Sequence, residues 1–166
     1  MDKKEVIQET KKHIDKVSNH LMHIKECLIQ RAIDHDRSKL SPEELPIFVK
    51  YTHKLKDCTY GSDEYKQYLA EMKPALDHHY ANNRHHPEYF SLQVADDFEY
   101  FEKGKKNPIC CMNLVDIMEM LCDWLAATER HADGDIYKSI EINQKRFGYS
   151  DEMKSVLVNT VSLLKE

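Results

Sequence analysis

A large aliphatic residue recurs at every seventh position from Ile7 through Ile14 and Leu21 to Leu28, with Val17 and Ile24 between them. Seven residues are close to two helical turns, so this spacing lays one apolar face along a single helix over residues 3–33. Further helices follow. Ser41-Pro42-Glu43-Glu44 reads as a start, with Ser at the cap and Pro and Glu in the first turn. Gly61-Ser62 marks a break before a helix from about Asp63, which Pro74 kinks or restarts on the way to His79. A short helix is expected around Val94–Glu102, ending at Gly104 before the loop Lys105–Pro108. The most apolar helix spans 112–130, a short one Ile136–Arg146, and the last begins at a Ser150 cap and runs to about Leu164. With only four glycines and five prolines to make turns, the expectation is an all-α fold. It is a single domain over 1–166, a bundle of about six or seven helices.

The net charge of −5, with acids and bases interspersed, provides no basic footprint for duplex nucleic acid. Five cysteines form an odd set without CxxC spacing, which points to a reducing compartment. MDKKEVIQETKK lacks the apolar core of a signal peptide, and no apolar run approaches membrane-spanning length. A soluble cytoplasmic protein without a membrane partner is expected, and a homodimer is compatible with the sequence.

Ten histidines are unevenly placed, four of them (His78, His79, His85 and His86) within nine residues. A turn near Asn83 would bring these four around one point, with Arg84 and Glu88 among them. His35-Asp36 closes the first helix and is followed by Lys39. An imidazole beside a carboxylate suits Mn, Fe, Co, Ni or Zn better than Ca. In the apolar helix, Asp116, Glu119 and Asp123 fall on one stripe, and buried carboxylates need a cationic partner or a metal. His13 and His20 border the apolar face of the first helix, whereas His23 lies on its polar side.

In order, KKHIDKV, IDHDRSKLSPEE, HHYANNRHHPEY, EMLCDW and NQKRFGYSDEM resemble the HD superfamily of metal-dependent phosphohydrolases. More specifically, they resemble an uncharacterised family of bacteria and their phages. The resemblance implies metal ligation by His13, His35, Asp36 and Asp123, with His79, His85 and His86 as the additional histidines of two-metal members. It implies a phosphate contact for Lys39, and Glu119 is a second candidate near Asp123. One or two divalent ions (Mn, Mg, Zn, Fe, Co or Ni) would activate water for hydrolysis of a small phosphorylated substrate, first of all a nucleotide. Arg84 would assist Lys39 in holding phosphate, Glu119 or Glu88 would order the water, and Tyr80, Tyr89 and Phe90 would stack a base. Two alternatives keep the metal: an HD-type di-iron oxygenase and a non-catalytic metal-binding interaction module.

Overall fold

The computed structural model describes residues 2–59, 62–93, 107–130 and 134–165, Leu92 and Gln93 by their backbone. Among these the fold is all-α, with no strand. The helices are α1 (Lys3–Asp34), α2 (Leu45–Asp57), α3 (Asp63–Glu71), α4 (Lys73–Asn82), α5 (Pro87–Gln93), α6 (Leu114–Glu129), α7 (Ile136–Phe147) and α8 (Asp151–Leu164). Short 3-10 turns cover Arg37–Leu40 and Pro108–Cys111. The expected break at Gly61, the helix over Val94–Glu102 and Lys105-Lys106 lie outside the described residues. No helix among the described residues is long and apolar enough to cross a membrane, and all five cysteines are free thiols.

The chain divides into two compact units, Met1–His35 and Asp36–Glu166. The first is α1 itself. Asp2 and Glu5 cap it reciprocally, each carboxylate accepting from the other's backbone amide, which fixes the helix start that the sequence left at residue 3. None of its residues is buried.

The second unit is built on a core of α5, the Pro108 turn, α6, α7 and α8. Met120, Leu121, Ile136, Ile140, Leu157 and Val161 are its innermost apolar side chains. Trp124 stacks on Phe147 with ring centroids 6.4 Å apart. α6 starts at Asn113, whose side chain accepts from the Asp116 amide while Asp116 accepts from the Asn113 amide. α7 ends at Gly148 in the left-handed region (φ 70°), and the Ser150 cap starts α8 as expected.

One boundary differs from the sequence reading and two are settled more finely. Ser41 does not cap a helix at Pro42: the amides of Glu44 and Leu45 both bond the Ser41 carbonyl (3.3 and 2.9 Å), and α2 begins at Leu45. Pro46 then sits in the first turn, where its missing N–H has no helical partner to lose. Pro74 restarts the helix, one of the two outcomes expected of it, separating α3 from α4 at the buried Met72. Pro87 opens α5. Among the described residues these divisions give eight α-helices where six or seven were expected.

Candidate metal centre

Four segments of the second unit converge: Asp36 with the turn after it, the start of α2, the end of α4 with residues 83–86, and α6. Asp36 has φ 57°, making it the one non-glycine residue with positive φ among those described. Asp tolerates this region better than most residues, but it is still a costly conformation, and such strain concentrates at functional sites. It lets the chain leave the helical path and enter the 3-10 turn, with the Lys39 amide on the Asp36 carbonyl at 2.9 Å.

The HHYANNRHH segment folds as the sequence implied, with a turn at Asn83. α4 ends at Asn82, Asn83 is extended, and the His86 amide bonds the Asn83 carbonyl at 3.1 Å. The Asn83 side chain stitches the turn down, donating to the His79 carbonyl and to the Ser38 hydroxyl, both at 2.7 Å. His79 and His85 are buried, and His86 is half-buried between the rings of Tyr80 and His85.

Asp36, His79, His85 and His86 each offer a ligand atom within 4.8 Å of the other three. Asp36 Oδ1 is 3.2 Å from His79 Nε2 and 3.5 Å from His85 Nε2, and His79 Nε2 is 2.9 Å from His86 Nε2. The opposite nitrogens face acids. His79 Nδ1 lies 3.0 Å from Glu44 Oε2, and His85 Nδ1 lies 3.1 Å from Glu119 Oε1. A carboxylate accepts, so the proton belongs on Nδ1 in both rings and the Nε2 lone pairs turn toward Asp36. Glu44 is fully buried and also takes His78 Nδ1 at 2.8 Å. Burial, and then the imidazoles of His85 and His79, push His86 down to about 3, so it is neutral near pH 7 and keeps a lone pair.

An ion about 2.0–2.2 Å from each donor would hold its ligands roughly 3–4.4 Å from one another; three pairs here lie at 2.9, 3.2 and 3.5 Å and the others within 4.8 Å. Three imidazole nitrogens and one carboxylate oxygen, two of the rings held by carboxylates, are a donor set for a borderline transition metal.

The remaining expected residues fall into different surroundings. Lys39 ion-pairs with Asp36 Oδ2, leaving Oδ1 to the histidines. Asp123 offers a ligand atom within 4.8 Å of one on His85, and its charge reaches His86. Arg84 donates to both oxygens of the buried Asp116 at 3.2 and 3.0 Å and lies over the rings of Tyr89 and Phe90. Glu88 pairs with Arg146 at 2.5 Å. Phe90 belongs to the core, and of the three aromatics proposed for stacking only Tyr80 lies against a cluster histidine, 4.9 Å from His86.

His13 and His35 belong to the first unit. His13 is exposed on α1, and His35 is the residue that closes it. One unbroken helix separates them, and 22 residues at about 1.5 Å each put them roughly 33 Å apart. Within one chain His13 and His35 therefore do not share an ion.

The sequence signature of DUF5662, described as a family of unknown function, matches residues 2–166. The chain belongs to DUF5662. No curated protein and no solved structure matches it. Membership of DUF5662 agrees with the resemblance to an uncharacterised family, and the comparisons do not extend it to the HD superfamily. Sequence reading named the four clustered donors in this DUF5662 chain but missed Glu44 and Ser38. Glu44 stands in SPEE, which reads as a helix start, and its inward turn follows only from where α2 begins. The available signal was its place eight residues after Asp36, close enough to return to the same site.

Proposed function

We propose that this DUF5662 chain is a metal-dependent phosphohydrolase acting on a nucleotide or a related phosphate ester, and that Asp36, His79, His85 and His86 hold a divalent ion. The observation that carries the reading is the convergence of those four donors, with a carboxylate behind each of His79 and His85. A bound ion would supply an activated water and neutralise phosphoryl oxygens.

The chain's own residues would do the rest. Glu44 and Glu119 fix the ring orientations and keep the Nδ1 protons in place, so the site is set before a ligand arrives. Lys39, held on Asp36, brings a cation to the edge of the cluster, where a phosphoryl oxygen would meet it. His79 and His85 are buried, and although the Asp36 side chain is 17% exposed, the Oδ1 that faces the histidines is buried with them. Arg84 is assigned to Asp116 in this reading and Glu88 to Arg146, which leaves the substrate to Lys39 and the cluster.

The test is a panel of nucleotides and simple phosphate esters with added Mn, measuring phosphate release. Asp36→Ala should lower the metal-dependent rate by at least about 100-fold, the size of effect a direct ligand carries. His23→Ala, on the exposed polar side of α1, should leave the rate near wild type. Iron in the purified protein with an optical charge-transfer band, and no phosphate release, would favour the oxygenase instead.

A further inference from the structure

The helix α1 is unusual in a way that the metal centre does not use. Its 32 residues span about 48 Å, yet none is buried. Nine of its aliphatic side chains are between 42 and 61% exposed. A helix with its apolar stripe in water gains little from propensity alone, because most helical stability in proteins comes from packing that stripe. The stripe has a definite geometry. Ile7, Ile14, Leu21 and Leu28 occupy one position of a seven-residue repeat, and Val17 and Ile24 occupy the position three residues on. That is the 3.5-residue seam with which one helix packs along another in a left-handed supercoil, rather than the broader 3.6-residue face that lies on a globular core.

From these observations we infer that α1 is a homodimerisation helix, and that a second copy of this chain covers the seam with its own α1. The area fits. The five exposed seam residues (Ile7, Ile14, Val17, Leu21 and Ile24) each leave roughly 80–100 Å² in water, so with Leu28 two copies would cover about 1,000 Å² in all, the size from which a specific interface is expected. Two copies bring the same seam, so each knob on one helix finds a matching hole on the other. Thr10 and Arg31 continue the second seam position at either end, so its apolar members are Val17 and Ile24. The inference is independent of the metal reading.

Light scattering coupled to size exclusion tests it on the full chain. The expected mass is twice the 19.6 kDa of one chain. Ile14→Asp with Leu21→Asp should give monomers, while Asn19→Asp, on the side of α1 away from the seam, should leave the dimer intact. Leu21→Ala retains full helix propensity, so it tests the seam without threatening the helix. It should raise the dimer dissociation constant by at least about tenfold. A wild-type chain that is monomeric throughout a dilution series overturns the inference, whether the stripe is then covered by the chain's own second unit or by another protein. A dimer indifferent to both seam variants overturns it as well.

Discussion

The two histidine-bearing regions of this chain use the same residue type in opposite surroundings. On α1, His13, His20 and His23 are exposed on a regular helix, with Cys27 Sγ 3.9 Å from His23 Nε2. In the second unit His79 and His85 are buried, and with His86 they meet Asp36 within 4.8 Å. Periodicity built the first region and irregular backbone built the second: a left-handed aspartate, a 3-10 turn and the extended Asn83. A histidine becomes a ligand candidate through the turn that aims it and the acid that orients it, not through its abundance in the sequence.

The comparison can be broken at the acid behind the ring. Glu44→Gln keeps the size of the side chain but removes the charge that holds the Nδ1 protons of His78 and His79. Metal affinity should fall about 10–100-fold with the helical content unchanged, which calorimetric titration beside circular dichroism reads directly. The same substitution at Glu9, on the exposed surface of α1, should change neither. Unaltered affinity in Glu44→Gln would mean that the buried acid organises the fold and not the ligands.

Arg84 sharpens the distinction between structure and chemistry. Its removal leaves Asp116 buried without its guanidinium, so Arg84→Ala should destabilise the second unit by about 2 kcal/mol, toward the lower end because the arginine is itself 40% exposed. Urea denaturation measures this. Metal affinity at a temperature where the variant is folded should remain close to wild type, since Arg84 contacts none of the four donors through these bonds. A stable Arg84→Ala chain that loses phosphate release would return the arginine to the phosphate-binding role read from the sequence.

The smallest expected effect separates the two units by pH. All nine tyrosines lie beyond α1, so their alkaline titration reports the second unit alone. Burial pushes the Tyr149 phenol up to about 12, and its hydroxyl donates to the Ile140 carbonyl at 2.5 Å. The neutral form is the one the fold favours. Its contribution is therefore complete below the ordinary phenol value of about 10 and is lost as pH rises from there through about 12. Tyr149→Phe should cost about 1 kcal/mol near neutral pH and should flatten the stability profile between pH ~10 and ~12. A profile as steep as wild type in that variant would assign the alkaline loss to other groups.

Much of the fold was legible because it rests on local signals. The stripe of α1, the apolar run of α6 and the Ser150 cap each announce a helix without knowledge of what packs on it. Ser41 misled because its apparent capping box competed with a tertiary demand, the pull of Glu44 toward two histidines. Asp36, His79, His85 and His86 were all nameable from composition and spacing, and Asp116, Glu119 and Asp123 from one helical stripe. The stripe could not divide their labour, since which acid meets Arg84 and which meets His85 depends on how α4 and α6 pack. His13 illustrates the converse error: the unbroken helix over residues 3–33 was itself legible, and at about 1.5 Å per residue it already separates His13 from His35.

The central claim is that Asp36, His79, His85 and His86 form one divalent-metal site. Its most direct test is calorimetric titration of the chelator-treated protein with Mn and with Zn, comparing wild type with His85→Ala and with a His20→Ala/His23→Ala control. The expected result is about one ion bound per chain in wild type and control alike, and binding weakened by at least about 100-fold in His85→Ala. Binding that survives His85→Ala but disappears with the α1 histidines would contradict the account, as would a wild-type chain that takes up neither metal.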